Sequence, residues 1–457
     1  MQFDLYIKNA QIVSENSVYR GGVVIDQGKI EQLVSEDIPV DAKETIDLKG
    51  KWLLPGLVDA HVHFNEPGRT HWEGYETGSM AAAAAGVTTA LEMPLNATPP
   101  TTNRSLLLEK REIVKEKPII DYANWGGLVD NNVSDLADMH DEGVIGFKAF
   151  LSDSGVDFAR IDDDVLYAGL EKSKELGSVI GLHAENEYLP RYLSKKLQEA
   201  GRVDRAAWYE SRPPEGELES IQRACYWTKV TGGNLHIVHI SIPDGMRAIR
   251  KARSEGVKVT SETCPHYLFF DHEDLVRLGP AIKCAPPVRS RETVEEMWDC
   301  VLSGLVDVIA SDHSPCTWEE KEKGMDNIWN GWGGIQGIQG MLPVVLTEGV
   351  HKRSLELPDL VRMMSSNPAR IAGLYPQKGS LIPGADADLI VVDLEKEWTL
   401  TEDLILSKNK HSAYLGSKFK GKVVRTIVRG VTVFLDDTIT GTPGYGKPIY
   451  RQQRYGF

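Results

Sequence analysis

Two histidines, His61 and His63, have one residue between them and follow the apolar run of residues 52–58. Side chains two positions apart in a β-strand point to the same face. Both imidazoles are therefore predicted to project together from the end of one buried strand, as a pair of metal ligands. An isolated pair of this kind is also found as two polar residues at a strand end, so the interpretation depends on matching ligands elsewhere in the chain.

Matching residues occur at the ends of other apolar runs. Lys148 lies among apolar neighbours, His183 and His239 each come late in a run, and Asp312 follows another. Each has a structural alternative. The Lys148 side chain could extend to solvent, His183 or His239 could be a hydrogen-bonded core residue, and Asp312 could be a helix N-cap. Because such residues recur at so many strand ends, we interpret them together as one metal site.

Lys148 is the most informative of these residues. A buried ammonium group is destabilised relative to the neutral amine. A neutral amine can react with carbon dioxide to give a carbamate, which is anionic and offers two oxygens. The sequence therefore predicts two divalent metal ions per subunit, bridged by N6-carboxylysine at position 148. Histidine and carboxylate ligands suit zinc, and also cobalt, manganese and iron. The predicted metal ligands are His61, His63, Lys148, His183, His239 and Asp312.

The elements that must position these residues alternate between strands and helices from about residue 51. Amphipathic helical stretches fall between most of the strands, at residues 162–176, 217–230, 244–255 and 291–303. This order predicts an α/β fold, a TIM-type (β/α)8 barrel whose strand ends carry the chemistry. A doubly wound open sheet is the alternative, but the chain has no glycine-rich dinucleotide fingerprint to favour it. The eight predicted strands are residues 57–63, 87–93, 121–126, 146–150, 179–185, 236–241, 257–262 and 306–311.

Both ends of the chain have a different pattern, of short strands and turns. Residues 3–48 contain three such stretches, and the same pattern returns after residue 378. The N-terminal strands are too few to close a sandwich alone. The sequence therefore predicts a small β-sandwich domain built from both termini. The predicted division is residues 1–50 and 380–435 for the sandwich, 51–379 for the catalytic barrel, and 436–457 for a C-terminal arm, either ordered or packed against a neighbour.

Composition narrows the function classes. The 457 residues contain 41% hydrophobic and 26% charged residues, with 51 Lys and Arg against 66 Asp and Glu, a net charge of −15. An acidic chain argues against a nucleic-acid or anionic-membrane partner. The N-terminus shows no signal peptide, and no stretch is apolar enough to span a membrane. The five cysteines are odd in number and form no C-x-x-C pair, which favours the cytoplasm over a disulfide framework.

These motifs resemble the amidohydrolase superfamily, in particular its cyclic amidohydrolases: dihydroorotases, dihydropyrimidinases (hydantoinases) and allantoinases. The resemblance extends over essentially the whole chain. It implies that His61, His63 and Asp312 hold one metal ion, that His183 and His239 hold the other, and that Lys148 bridges them as a carbamate. The matching segments are residues 55–63, 146–148, 183, 239, 311–315 and 379–388.

Other residues distinguish among the members. Dihydroorotases usually carry Arg two residues after the second histidine, where this chain has Asn65. Dihydropyrimidinases usually have Tyr a few residues after the bridging lysine, but residues 151–154 contain none. At position 285 many relatives have Ser where this chain has Ala285. The loops that resemble those of allantoinases are residues 66–78, 92–96, 264–267, 283–289 and 332–337.

The resemblance implies opening of the hydantoin ring of (S)-allantoin to allantoate, a step of purine catabolism. Asp312 would transfer the proton, while backbone groups near Cys284, Gly333 and Gly334 would bind the amide edges of the ring. Family members are often homotetramers. A hydantoinase or dihydropyrimidinase of broader specificity is the alternative. A non-catalytic scaffold, as some dihydropyrimidinase-like proteins are, is disfavoured because the ligand set is complete.

Overall fold

The first five strands belong to one sheet in the computed structural model, which describes residues 2–36 and 38–456. The strand β1 pairs antiparallel with β2 and parallel with β4 and β5. The hairpin between β2 and β3 turns through Gln27 and Gly28, whose φ angles of 47° and 76° suit the tight turn that matches strand twist. The strands are β1 Phe3–Val13, β2 Val18–Asp26, β3 Lys29–Val34, β4 Ala42–Asp47 and β5 Trp52–Pro55.

The barrel follows, and all of its strands are parallel. Its third position is divided into β8 and β9 on either side of Trp125, whose backbone N–H donates to the Glu92 carbonyl at 2.9 Å. A parallel bridge between Val62 and His313 closes the ring. The predicted barrel is confirmed. Its strands are β6 Leu57–Val62, β7 Val87–Glu92, β8 Asp121–Asn124, β9 Gly126–Gly127, β10 Phe147–Phe150, β11 Ile180–His183, β12 Leu235–Ile237, β13 Val259–Thr263 and β14 Val308–Ile309.

Helices surround the barrel, and their ends follow from local chemistry. Asn103 is the N-cap of the helix α2, Arg104–Val114, and its side chain accepts a hydrogen bond from the Leu106 N–H. The helix α4 ends at Gly177, which has the left-handed φ of 64° that favours glycine. The helices are α1 Tyr75–Ala84, α2 Arg104–Val114, α3 Leu136–Asp141, α4 Asp163–Leu176, α5 Tyr188–Glu199, α6 Arg205–Glu210, α7 Pro214–Thr231, α8 Pro243–Ser254, α9 His272–Leu278, α10 Arg291–Leu302, α11 Trp318–Glu322, α12 Ile338–Val344, α13 Leu357–Val361 and α14 Asn367–Ile371.

The chain then returns to the first sheet with β15 Leu389–Thr399, β16 Lys418–Val428, β17 Val431–Leu435 and β18 Thr438–Ile439. Because β15 pairs with β5, both chain ends share one nine-stranded sheet with its own core, as the predicted terminal sandwich requires. The sheet includes two short strands, β5 and β18, that lie outside the predicted sandwich ranges. The division into domains stays a prediction.

The C-terminal arm packs across the amino end of its own barrel. Ile449 N–H donates to the Tyr122 carbonyl at 2.7 Å, and the Tyr455 hydroxyl lies 3.1 Å from Oγ1 of Thr260. The Arg451 guanidinium donates to carbonyl groups that precede two of the strands. The arm therefore covers the end of the barrel opposite the predicted site.

The structure also describes the state of the cysteines and the hydropathy of the helices. The five cysteines are free and buried. Within residues 2–36 and 38–456, no helix combines the length and the hydropathy that crossing a membrane requires.

Candidate metal centre

The predicted ligands lie at the carboxyl end of the barrel, in or just after β6, β10, β11, β12 and β14. Active sites of such barrels are built at this end, because the loops that follow the strands converge there. The structure brings all six predicted side chains to one place. They are His61, His63, Lys148, His183, His239 and Asp312.

The first group consists of His61, His63 and Asp312. Nε2 of His61 lies 3.3 Å from Oδ1 of Asp312, and Nε2 of His63 lies 3.4 Å from the same oxygen. One ligand atom from each residue falls within 4.8 Å of the other two. Burial acts to raise the pKa of Asp312, but the adjacent histidines outweigh it and hold that pKa well below its ordinary value. A carboxylate that faces two imidazoles is a suitable donor set for a divalent cation.

The second group is His183 with His239. Nδ1 of His183 lies 2.9 Å from Nε2 of His239, and the Phe150 ring stacks on His183 with centroids 4.5 Å apart. Nδ1 of His239 is buried and has no hydrogen-bond partner among the described residues. Burial lowers the pKa of both histidines, and the nearby Lys148 charge lowers both further. Both are therefore neutral imidazoles, the form that binds metal ions.

Lys148 lies completely buried beside these histidines. Its Nζ has no hydrogen-bond partner among the described residues and lies 4.7 Å from the centre of the Phe150 ring. Burial lowers the pKa of Lys148 to about 8. An unpartnered buried amine surrounded by metal-competent groups fits a role as a modified, bridging ligand.

Two of the predicted ligands have strained backbones. His239 has a φ of 40° and Asp312 a φ of 44°, in the left-handed region that non-glycine residues rarely adopt. Such conformations cost about 1–3 kcal/mol each and are retained mostly at functional sites. The strain therefore agrees with a functional position for both side chains.

Glu262, in β13, is a residue that the sequence analysis missed. Its carboxylate accepts from Nδ1 of His61 at 2.9 Å and lies 3.2 Å from Nε2 of His236. Burial acts to raise the pKa of Glu262, but the two histidines outweigh it and hold the pKa at about 2. A carboxylate behind an imidazole fixes the ring's tautomer and orientation, so that Nε2 of His61 faces Asp312.

A cavity of about 410 Å³ opens over this cluster, large enough for a small heterocycle. The predicted substrate contacts Cys284, Gly333 and Gly334 all line it. The Cys284 carbonyl accepts from Nε1 of Trp208 at 2.8 Å, and the Gly334 N–H donates to the Lys283 carbonyl at 2.7 Å. Two of these three positions are therefore already held by protein partners.

Two buried lysines fix the glycine loop, residues 328–334, which carries Gly333 and Gly334. Nζ of Lys283 donates to the carbonyls of Ile328 at 2.8 Å and Gly331 at 2.6 Å. Nζ of Lys321 donates to the Trp332 carbonyl at 3.0 Å and also to that of Gly334. Burial lowers the pKa of Lys283 to about 7 and lowers that of Lys321 as well. Two buried lysine side chains therefore hold the loop, and the sequence analysis singled out neither.

Comparison with known proteins places the chain in a family. A family model described as the amidohydrolase family matches residues 52–433. The chain belongs to the amidohydrolase family. Its barrel and terminal sheet have the architecture of a solved amidohydrolase relative, an L-hydantoinase (dihydropyrimidinase) from Arthrobacter aurescens. That chain superposes with a TM-score of 0.96 at 37% identity, covering 98% of this chain and 100% of the other.

Curated relatives carry a more specific name. An allantoinase of Solibacter usitatus (strain Ellin6076) is 42% identical over 441 residues, 96% of this chain and 95% of the relative. An allantoinase of Rubrobacter xylanophilus (strain DSM 9941 / JCM 11954 / NBRC 16129 / PRD-1) is 42% identical over 460 residues, 99% of each. The chain is therefore a cyclic amidohydrolase enzyme, similar to these proteins over nearly its full length.

The amidohydrolase site also holds a buried ion pair beyond the predicted ligands. Glu217, in α7, accepts from Nη2 of Arg289 at 2.8 Å and from the N–H of Ser241 at 2.8 Å. Ser241 lies two residues after His239, so this pair supports the strand end that carries a predicted ligand. The sequence showed Glu217 only as the first residue of an amphipathic helix. Its partners lie 24 and 72 residues away.

Proposed function

We propose that this protein is an allantoinase, which hydrolyses the hydantoin ring of (S)-allantoin to allantoate. The observation that carries the proposal is the similarity, at 42% identity over nearly the whole chain, to curated allantoinases. The loop after β6 supports it. Trp72 of that loop packs on Trp332 of the glycine loop with ring centroids 4.7 Å apart, so two of the allantoinase-like segments meet beside the cavity.

The residues that would hold two divalent cations are the two groups of ligands described above. We propose that His61, His63 and Asp312 hold one cation, that His183 and His239 hold the other, and that Lys148 bridges them. Zinc suits this donor set, and cobalt, manganese or iron are alternatives. When bound, the cations would make water more acidic and polarise the scissile carbonyl.

Asp312 is proposed to move the proton. Its carboxylate is ionised because the neighbouring histidines hold its pKa low, so it can accept a proton from the attacking water. It would then deliver that proton to the ring nitrogen that leaves as the C–N bond breaks. The water oxygen bonds to the carbonyl carbon as the ring C–N bond breaks. One water proton goes to the leaving nitrogen, and the new carboxylic acid releases the other proton to solvent to become a carboxylate.

Backbone groups are proposed to bind the amide edges of the ring. Cys284, Gly333 and Gly334 are the predicted contacts, but the Gly334 N–H is paired with the Lys283 carbonyl and the Gly334 carbonyl with Nζ of Lys321. Gly333 and Cys284 would therefore make the contacts. Among the described residues, no atom outside Gly333 and its two chain neighbours lies within 4 Å of the position that a Cβ of Gly333 would occupy, so the backbone there is open. Because Lys283 and Lys321 hold this loop, the backbone is fixed before the substrate arrives. Fixed groups of this kind lose little entropy on binding.

The Lys148 carbamate is part of the proposal. The neutral amine attacks the carbon of carbon dioxide, one N–C bond forms, and the nitrogen releases a proton, which leaves a carbamate anion. Because burial lowers the pKa of Lys148 to about 8, a minor fraction of the amine is neutral near neutral pH and can react. Protein exposed to ¹³C-bicarbonate should show a carbamate carbon resonance that Lys148→Met lacks. An identical spectrum in both proteins would contradict the carbamate.

The first experiment is allantoin ring opening by the purified protein, with metal content measured on the same sample. We expect allantoate formation that chelation abolishes and that added metal restores. Rates on allantoin and dihydrouracil, measured side by side, separate this proposal from a broad hydantoinase. Faster turnover of dihydrouracil would favour the hydantoinase. A metal-loaded protein that forms no allantoate would reject allantoin and keep the metal site, while protein that binds no metal would reject the ligand set.

A homotetramer in the cytoplasm completes the proposal. The family resemblance supports the tetramer, and five free, buried cysteines suit a reducing compartment. Light scattering on the purified protein measures the subunit number, and a monomer would contradict it.

A further inference from the structure

Arg212 has no role in the chemistry described so far. It lies between α6 and α7, and its guanidinium stacks on the Trp208 ring at 4.0 Å. Its Nε is buried and has no hydrogen-bond partner among the described residues. Glu185 is close, but its Oε1 lies 4.0 Å from that nitrogen, beyond hydrogen-bond distance. Buried donors without acceptors are rare in native proteins, which points to an acceptor supplied by a ligand.

The position of Arg212 places this donor in the catalytic cavity. The cavity that is lined by His61, His183 and Asp312 is also lined by Arg212. The other oxygen of Glu185, Oε2, lies 3.5 Å from Nε2 of His183. The Glu185 carboxylate therefore lies between the guanidinium of Arg212 and a predicted metal ligand.

The other cation of this cavity is already used. Lys283 donates to backbone carbonyls of the glycine loop, as described above. Among the described residues that line the cavity, Arg212 is therefore the cationic side chain with a buried donor still to be matched.

A second, polar cavity adjoins the first, and Arg212 and Asp153 line both. Glu185 and Glu187 also line it, and so does Arg191, whose Nη1 lies 3.4 Å from Oε1 of Glu187. The cavity therefore combines carboxylate acceptors with two guanidinium groups. A ureido group has the complementary pattern, with a carbonyl oxygen that accepts and N–H groups that donate. Allantoin differs from unsubstituted hydantoin by this group alone.

We propose that Arg212 is a specificity-determining residue, which donates a hydrogen bond to the carbonyl oxygen of the substrate's ureido substituent. The carboxylates of the adjoining cavity accept from the ureido N–H groups. This inference rests on the proposed function, because it assigns one part of allantoin to one side chain. It also predicts that Arg212 acts on the substituent and not on the ring that is opened.

The test compares allantoin with hydantoin in Arg212→Met. We expect kcat/KM for allantoin to fall about 10- to 100-fold, the effect of losing a charged hydrogen bond. For hydantoin we expect kcat/KM to change less than about 2-fold, since it lacks the ureido group that the interaction needs. If hydantoin is not turned over, its inhibition constant against allantoin replaces kcat/KM. Arg212→Lys, which keeps the charge beside Glu185, should lie between wild type and Arg212→Met for allantoin.

Arg202→Met is the matched control. Arg202 is also a guanidinium near α6, but it pairs with Asp204 and Glu210 outside both cavities. We expect no change with either substrate. Equal losses for allantoin and hydantoin in Arg212→Met would overturn the assignment, because they would mean general damage to the site. Unchanged allantoin hydrolysis would overturn it as well. Wild-type protein that does not open allantoin would instead reject the proposed function, and the assignment with it.

Discussion

Glu262 determines how two histidines are oriented, although it is not itself a predicted metal ligand. Its two oxygens face His61 and His236, and it also accepts from the His239 N–H at 3.2 Å. One carboxylate therefore connects the strand ends that carry ligands from both groups. Changes at such a residue act through the ligands and leave the ligand atoms themselves in place.

Glu262→Gln should lower metal affinity or activity about 10- to 100-fold. The amide cannot accept from His61 and His236 at once, so one imidazole loses its fixed tautomer. Metal retained after dialysis against a chelator, together with kcat/KM for allantoin, measures the effect. Glu255→Gln is the control, since Glu255 is an exposed carboxylate paired with Lys229. Metal retention and activity equal to the control would show that the tautomer is fixed in another way.

The convergence of the six predicted ligands could be expected from the sequence, and the contact of Glu262 with His61 could not. His61 and His63 show a strand period locally, and the other predicted ligands each end an apolar run. Glu262 ends the predicted strand of residues 257–262, but its role depends on His61, which lies 201 residues earlier. No local pattern in a single sequence indicates that two residues so far apart are in contact.

At the scale of elements, the glycine loop depends on side chains from outside it. The carbonyls of residues 328–334 receive the ammonium groups of Lys283 and Lys321, which come from other segments. The barrel strands were predictable because short stretches with strand character alternate with amphipathic helical stretches. The loop conformation was not, since a lysine looks like a solvated surface residue until the fold buries it.

Lys321→Met should disturb the loop more than the barrel. The Trp332 and Gly334 carbonyls lose their buried donor, and the backbone proposed to bind the ring becomes mobile. We expect KM for allantoin to rise about 10-fold, which corresponds to the loss of about one hydrogen bond that holds the loop in place. The change in kcat should be smaller. Steady-state kinetics measures both parameters.

Lys323→Met is the control for that variant, because Lys323 has an exposed side chain paired with Glu320. Its kinetics should match those of the wild type. A loss of kcat with an unchanged KM in Lys321→Met would contradict a positioning role for the loop and would implicate the chemical step instead.

At the scale of the whole molecule, one buried lysine connects the barrel to the terminal sheet. Nζ of Lys378 lies 2.5 Å from Asp121 in β8, 2.9 Å from Asp386 and 2.8 Å from Asp388. Burial favours the neutral amine, but the three carboxylates outweigh it and raise the pKa of Lys378. The sequence predicted both regions but not this junction, because Asp121 and Lys378 are 257 residues apart.

Lys378→Met should destabilise the protein by about 3–5 kcal/mol, because it leaves the buried carboxylate of Asp388 without an ion-pair partner among the described residues. Asp121 and Asp386 lose one cation each and keep Arg429 and Lys29. Lys29→Met removes a partner of the same Asp386, but from a side chain that is 42% exposed, so it should cost only about 0–1 kcal/mol. Urea unfolding followed by fluorescence and circular dichroism compares the two. If Lys378→Met does not fold, Lys378→Arg, which keeps the charge, should be soluble and less stable than the wild type. Equal stabilities for Lys378→Met and Lys29→Met would mean that apolar packing, and not this ion cluster, holds the sheet against the barrel.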